Sequence, residues 1–403
     1  MRSISLHRIF IIAGIASIFI SYLAIWIRFI NDPVERTGSD FIAFYSAGRV
    51  AQIHGTANAY DPRLQQQIQQ EEVGFPLVPG QVLLYNHLPF LIPLLQIIVS
   101  TDYVASFYRW VILLIMLYIA GVTVLSLTLK QTGSDRGATL LTGIGAFLFL
   151  PVFFSLMNGQ DTAILFLGVA LWGYGLLAGK EILAGVGLSL AAVRPHIALL
   201  LAIPAVFRYA RVFAGFLLGS GFLAILSLLI LGPNGTRDFI NIIFLSAGGE
   251  WYGMKENAMY NLIGLLTRSA PQLEAGTIRA LGWGFYGLAF VFLCAVWSKA
   301  KDPRNGLIGM SVILALFAAP HLHFHDLALL LIPVYELIRL SRETGNLKPP
   351  VAISLPIALS LLLLLSNLTP FLQYTIPYII LLVLAVYPYY ATRRMTATAP
   401  HQS

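Results

Sequence analysis

The chain has 403 residues, of which 58% are hydrophobic and only 11% are charged, with a formal net charge of +7. Soluble domains carry about 25% charged residues, so this composition excludes a water-soluble fold. Apolar runs of about 20 residues recur along the whole length, and the basic residues lie in the short connections between them. We therefore expect the positive charge to lie at membrane headgroups, with no nucleic acid as a partner.

The hydrophobic pattern predicts an all-α polytopic membrane protein with about 10–12 transmembrane helices, in a single integral-membrane domain over 1–403. The first run is long and lacks a small-residue cleavage site, so we expect an uncleaved span and not a signal peptide. The only cysteine, Cys294, excludes an intrachain disulfide or a cysteine-based metal site. The predicted spans are 9–30, 104–128, 138–157, 161–178, 212–231, 281–298, 305–320, 324–340, 351–366 and 372–391.

The distribution of Lys and Arg predicts the topology. With the N-terminus in the cytoplasm, every basic cluster falls on the cytoplasmic face, and so does the C-terminus. Two long segments then face the periplasm, which we call loop one (31–103) and loop two (232–279). The agreement requires that the apolar segment 183–207, broken at Arg194-Pro195-His196, leaves and returns on the cytoplasmic side. That segment is either a broken hairpin with Arg194 near its tip or one span that violates the rule.

Loop one combines amphipathic and polar segments. Apolar residues at helical spacing predict a helix over 40–54 that lies in the outer membrane interface, with Ser39 as its cap. A second helix is predicted over 63–72, with its glutamine-rich face toward solvent. The segment 85–99 is apolar but interrupted by prolines, and we expect it to lie along or dip into the outer leaflet.

Asp40 is the carboxylate at the start of the first of these helices, and it has two interpretations. It is either a helix N-cap or a general base at the water–lipid boundary, which would deprotonate an acceptor hydroxyl.

An ordered set of short motifs, spread over nearly the whole chain, resembles glycosyltransferase family 87. The motifs are Ser39-Asp40-Phe41 with Tyr45, Gly55 with Tyr60-Asp61-Pro62, Tyr85-Asn86-His87-Leu88-Pro89, Asn158-Gly159-Gln160, Ala184-Gly185 before Arg194-Pro195, Glu256-Asn257 with Asn261-Leu262-Ile263-Gly264, and Pro320-His321 with His325-Asp326-Leu327. The chain departs from the family pattern at His87-Leu88-Pro89, where Tyr-Pro-Pro is usual, and at Arg194, where lysine is frequent.

The resemblance implies a C-type glycosyltransferase fold and an inverting transfer of a sugar from a polyprenyl-phosphate carrier. It implies that Asp40 is the catalytic aspartate. It also implies that Arg194, with His321 or His325, binds the donor phosphate, and that Asp326 lies near it.

Further polar residues on the same face are candidates for lining the site, namely Tyr85, His87, Gln160, Glu256, Asn257 and Asp326. The run of His321, His323, His325 and Asp326 also has an alternative interpretation as a metal cluster. We predict no protein-bound metal here; a divalent ion on the donor phosphate is possible but not required.

We therefore predict an inverting glycosyltransferase of the inner membrane with a periplasmic active site. It would move a hexose or pentose, with mannose favoured, from a polyprenyl-phosphate donor to a glycolipid or glycan acceptor of the cell envelope. The alternatives are a secondary transporter, with 183–207 as its substrate site, and a non-catalytic envelope-assembly protein. No phosphate-cradling glycine loop or dinucleotide fingerprint is present in the sequence.

Overall fold

The computed structural model describes residues 6–130, 143–248, 256–299, 302, 306–343, 358–365 and seven positions between 369 and 383. The two last predicted spans, the C-terminal segment and part of the predicted span 138–157 lie wholly or largely outside the described residues. The described residues are helical, with no sheet among them, which confirms the all-α prediction.

The helices follow one another with short turns or 3-10 segments between them. In chain order they include α1 (Leu6–Asn31), α2 (Pro33–Thr37), α3 (Phe41–His54), α4 (Pro62–Val73), α5 (Ile92–Ile98), α6 (Tyr103–Lys130), α7 (Leu150–Asn158), α8 (Thr162–Leu177), α9 (Glu181–Ser189), α10 (Pro195–Ala205), α11 (Ala210–Gly248), α12 (Leu262–Ser269), α13 (Ala275–Lys299), α14 (Leu307–Ala318) and α15 (Leu331–Glu343).

Four of the described helices are long and apolar enough to cross a membrane, namely Ile12–Asn31, Tyr103–Leu129, Ala210–Leu245 and Ala275–Lys299. Much of their surface is exposed and apolar, as at Leu218 and Phe222 on α11 and Leu288 on α13. A helix with such a surface is stable in lipid and not in water. The chain is therefore a multi-pass membrane protein.

The helix predicted over 40–54 forms, and more than one of its faces is buried. The helix forms as α3, but its residues from Phe41 to Ala51 are buried on almost every side, with Arg49 as the partly exposed exception. Helices α4 and α5 cover it, and Gly48 permits close approach because a Cβ there would meet Leu95 and Val99. Helix α3 is therefore the core of loop one, and the helices of this loop pack around it.

The glutamines of α4 do not all face solvent as predicted. Gln65 and Gln69 are buried, and each uses its amide to bind backbone. Gln65 donates to the carbonyl of Ala59 and accepts from the backbone N–H of Tyr85, both at 2.8 Å. Gln69 both donates to and accepts from the backbone of Leu83. These bonds satisfy an irregular buried segment and fix the path of residues 82–87 across α4.

The segment around Arg194 consists of two helical pieces that reverse direction. Helix α9 runs antiparallel to α8, with Ala184 opposite Gly175 and Ala191 opposite Gly168. After the break at Arg194, α10 follows α13 in the same direction. Its first turn accepts a hydrogen bond from Tyr286 at the carbonyl of His196, and the chain beyond it places Tyr209 against Trp297. Arg194 consequently lies at the end of the bundle where α8 begins.

Helix α11 is broken at Gly232, where loop two was predicted to start, and a helix continues beyond it to Gly248. Gly232 has φ 62° and ψ −174°, which bends α11 before Pro233. Loop one rests on this bend. Thr56 donates to the carbonyl of Ile230 at 2.9 Å, and Tyr60 packs edge-on against Phe239.

We predict that Gly185→Ala destabilises the protein, because a Cβ at this position of α9 would collide with the backbone of α11 at Val212 and Phe216. Such overpacking against backbone costs roughly 1–3 kcal/mol. The matched control is Gly221→Ala on α11, where nothing lies within 4 Å of the added methyl group. Thermal unfolding in detergent should show a lower melting temperature for Gly185→Ala alone. Equal melting temperatures for the two variants would contradict the described α9–α11 packing.

Candidate active site

A buried ion-pair network joins three distant segments at one end of the bundle. The guanidinium of Arg194 lies 3.1 Å from Oδ1 of Asp161 and 3.4 Å from Oδ1 of Asp326. Both carboxylates are fully buried, and Arg194 is 8% exposed. The contact with Asp161 is an ion pair by distance but lacks hydrogen-bond geometry at Oδ1. Electrostatic attraction in a dry environment, more than directed bonding, therefore holds this pair.

Neighbouring polar groups complete the network. Gln160 accepts a hydrogen bond from Arg194 at 3.4 Å, and the hydroxyl of Thr162 donates to Oδ1 of Asp326 at 3.1 Å. The Nε2 of His325 lies 3.7 Å from the same carboxylate. Asp161 does not cap α8 with its side chain, although it precedes that helix. Its carboxylate contacts His87 and Arg194 instead.

His87 brings loop one into the network. Its Nδ1 lies 2.7 Å from Oδ2 of Asp161, and its side chain is 10% exposed. The hydroxyl of Tyr60 donates to the backbone carbonyl of His87 at 2.5 Å. The rings of Phe44 and Tyr85 lie 4.3 and 5.3 Å from the imidazole. Of the predicted lining residues, His87, Tyr85, Gln160 and Asp326 thus come together around Arg194.

Four histidines form a chain beside the network. Ring centroids are 4.6 Å apart for His321 and His323, 5.7 Å for His323 and His325, and 6.5 Å for His196 and His321. Among the described residues, no group of three or more His, Cys, Asp or Glu has the arrangement of a metal site.

Burial decides the charge of the two histidines at the turn before Phe324. Burial, reinforced by the positive charges around it, lowers the pKa of His321 well below its ordinary value. Burial also lowers the pKa of His323 to about 4, although the carboxylates of Asp326 and Asp40 act in the opposite direction. Both rings are neutral near pH 7. A neutral His321 can donate a hydrogen bond to a phosphate but carries no positive charge.

Asp40 lies at the first turn of α3, half-buried, and its carboxylate makes no capping hydrogen bond. Ser39, the expected cap, instead donates to the carbonyl of Arg36. Asp40 is therefore the N-cap residue of α3 by position, but its carboxylate does not cap the helix. Asp40 precedes Phe44 by four residues, and positions four apart share one helix face. That face meets His87, and the charge of Asp40 acts on His323.

The loop-two candidates do not join the network in the described residues. Glu256 lies 2.5 Å from Arg279, and the backbone carbonyl of Asn257 accepts a hydrogen bond from Arg268. The link from loop two to the histidines is made by residues that the sequence did not single out for that role. The backbone N–H of Tyr260 donates to Leu322 at 2.8 Å, and the amide of Asn261 donates to Ala319 at 2.7 Å.

We predict that Arg194→Ala strongly destabilises the fold, because it leaves two buried carboxylates without their cation. Removing one partner of a buried ion pair costs about 3–5 kcal/mol. Arg194→Lys should be intermediate, since an ammonium keeps the charge but lacks the planar fork that spans both carboxylates. Thermal unfolding in detergent tests this, with the exposed Arg208→Ala as control. Equal stability of Arg194→Ala and Arg208→Ala would refute the network.

We also predict that stability falls as the pH drops from about 6.5 toward 4. A histidine in an unfolded chain has a pKa of about 6.5, whereas that of folded His323 is about 4. The unfolded chain thus binds a proton first on acidification, and acid favours unfolding in that window. His323→Gln should reduce the loss of melting temperature between pH 7.5 and 5, while the exposed His54→Gln should not. An unchanged loss in His323→Gln would contradict the assigned pKa.

Comparison with known proteins identifies the chain. The family model for glycosyltransferase family 87 matches residues 87–333, more than half of the chain. The match includes His87, Asp161, Arg194 and the segment 321–326, whereas Asp40 lies before it. No curated protein and no solved structure matches the chain. The match confirms the family suggested by the short motifs, and the all-helical membrane fold is consistent with it: the chain belongs to glycosyltransferase family 87 and is a membrane glycosyltransferase.

Proposed function

We propose that this glycosyltransferase uses a polyprenyl-phosphate sugar, with mannose as the favoured sugar, and inverts its anomeric carbon. The acceptor is a hydroxyl of a glycolipid or glycan of the cell envelope, and the site faces the periplasm. The observation that carries the proposal is the buried polar cluster formed by loop one and the helix ends at Asp161, Arg194 and Asp326. Charged groups are costly to bury in an apolar protein. Buried ionisable clusters of this kind are therefore common at functional sites.

Asp40 is the proposed general base. Its carboxylate is not used to cap α3, and it stands on the helix face that meets His87. In the reaction the acceptor oxygen attacks the anomeric carbon while Asp40 takes the hydroxyl proton. A base positioned for such a transfer typically contributes a factor of about 10²–10⁴ in rate.

The donor phosphate is proposed to lie against Arg194, His321 and His325. The N–H groups of Arg194 face Asp161 and Asp326, so its positive charge acts on the phosphate mainly through space. The neutral ring of His321 supplies a hydrogen-bond donor, and its Nδ1 is buried without a partner among the described residues. Charge that develops on the departing phosphate is stabilised by preorganised donors of this kind.

The lipid tail of the donor is proposed to leave the site along the apolar surface of loop one. The segment 85–99 carries partly exposed apolar residues. Ile97, close to the end of this segment, is strongly exposed. Such a surface keeps the prenyl chain in apolar surroundings where it passes from the bilayer to the site.

We predict that Asp40→Asn lowers kcat/KM for sugar transfer by roughly 100-fold or more, because an amide cannot take the proton. The assay is sugar transfer from a synthetic polyprenyl-phosphate mannose to acceptor lipids by the purified full-length protein. Asp102→Asn is the matched control. Asp102 is an exposed carboxylate of loop one that caps α6 through Ala105, and asparagine retains that cap.

The result that would overturn Asp40 as the base is a kcat/KM for Asp40→Asn within threefold of the Asp102→Asn control, with both variants folded. If the wild-type protein transfers other sugars from the same carrier but not mannose, the sugar assignment fails and the carrier assignment stands.

A further inference from the structure

Loop one contains an open pocket whose lining residues do not belong to the Arg194 network. Helices α2 and α4 and the segment 75–83 surround this pocket, which has a volume of about 360 Å³. Sites for small molecules typically measure about 300–1,000 Å³. Helix α2 begins two residues after the end of α1, one of the helices that can cross the membrane. The pocket, which we call the loop-one pocket, therefore lies close to one surface of the membrane.

Three polar side chains of the loop-one pocket have hydrogen-bonding groups that the described residues leave unused. Arg36 donates from Nη1 to the carbonyl of Ile30 at 2.8 Å, but its buried Nε has no partner. The carboxylate of Glu72 forms neither a hydrogen bond nor an ion pair in the described part of the chain, although the charge of Arg36 acts on it. Gln81 accepts from the backbone of Val78 through Oε1, which leaves its NH₂ group unused. The pocket thus presents donors and an acceptor together.

An exposed aromatic ring accompanies these polar groups. Phe75 and Val34 both line the loop-one pocket, and they are 54% and 77% exposed. A phenyl face that is open to solvent at a pocket is available to a ligand with an apolar face. The C–H face of a sugar ring is such a surface, and the hydroxyls around the ring remain accessible to polar side chains.

The polar groups of the pocket discriminate between classes of ligand. The carboxylate of Glu72 beside the guanidinium of Arg36 disfavours an anionic ligand such as a phosphate. A lipid tail would bury these groups and the amide of Gln81 without hydrogen bonds, which is unfavourable. A neutral polyol can bond donors and acceptor at once, because each of its hydroxyls both donates and accepts. The pocket therefore matches a saccharide.

The loop-one pocket is adjacent to the proposed general base. Gly38 lines the pocket and precedes Asp40 by two residues. Two residues span at most about 7 Å, so this edge of the pocket lies within that distance of the Asp40 backbone. Ile42, which also lines the pocket, lies on the opposite side of α3 from Asp40. An acceptor with several sugar units can thus occupy the pocket with one unit and reach Asp40 with another.

We propose that the loop-one pocket binds a saccharide unit of the acceptor, an inference that rests on the proposed function. Phe75 packs against the face of the sugar ring, and Glu72 accepts hydrogen bonds from its hydroxyls. Arg36 and Gln81 donate hydrogen bonds to its oxygens. The pocket holds a sugar unit other than the one that reacts, so it sets the affinity for the acceptor and requires that the acceptor carry carbohydrate.

A binding experiment tests the pocket without sugar transfer. The purified full-length protein in phosphatidylcholine nanodiscs is mixed with mannotriose or maltotriose, and bound saccharide is detected by saturation-transfer NMR. Wild type should give a signal with at least one of these trisaccharides. Phe75→Ala and Glu72→Ala should each lower that signal at least threefold, whereas Val78→Ala and Glu71→Ala should match wild type. Val78 and Glu71 are exposed neighbours that do not line the pocket.

Kinetics then tests the link to the acceptor. In transfer from polyprenyl-phosphate mannose to glycolipid acceptors, Phe75→Ala should raise the KM for the acceptor roughly tenfold. It should leave kcat and the KM for the donor within about threefold, because the lost contact is made equally before and during the reaction. Phe75 is largely exposed, so the fold should survive its substitution, and an unchanged melting temperature verifies this.

Three results would each overturn the saccharide subsite. They are no binding of either trisaccharide by wild type, equal binding in Phe75→Ala and Val78→Ala, or an unchanged acceptor KM in Phe75→Ala. If the wild type transferred no sugar from any polyprenyl-phosphate donor, the proposed function would fail instead, and the NMR result would still report on the pocket.

Discussion

The attraction between one guanidinium and two buried carboxylates organises one end of this helix bundle. Arg194 stands where the chain reverses between α9 and α10, Asp161 precedes α8, and Asp326 follows α14. Each charge alone would be too costly to bury, so the three segments stabilise one another only when they meet. The network thereby gathers polar groups from three distant segments at that end of the bundle.

Loop one contributes residues to the polar network beside Asp161, Arg194 and Asp326. Its core helix α3 is buried, and the two glutamines of α4 hold the segment that carries Tyr85 and His87. His87 then bonds Asp161, and the loop also rests on the bend of α11 at Gly232. A loop held at several points keeps His87 in a fixed position beside Asp161.

The sequence predicted the membrane class, the all-helical fold and the family, because hydrophobic runs and short motifs are local signals. It also singled out Arg194 and Asp326, since ionisable residues in apolar runs are conspicuous. It did not predict the partners. The sequence did not indicate that Asp161 would contact Arg194, and it predicted that the face of Gln65 and Gln69 is solvated. Periodicity shows which side of a helix is apolar, but not which distant segment bonds a buried polar group. The sequence analysis did not predict the helix between Pro233 and Gly248, because a glycine followed by a proline usually marks the end of a helix.

The central claim is an inverting sugar transfer from a polyprenyl-phosphate donor at this cluster. It is tested most directly by the anomeric configuration of the product that the purified wild-type protein forms, measured by NMR with a donor of known configuration. A single displacement, with Asp40 as base and the lipid phosphate as leaving group, predicts a product of the opposite configuration to the donor. A product of retained configuration would contradict this account, because it requires a second displacement and a covalent or ion-pair intermediate that the proposed roles do not include.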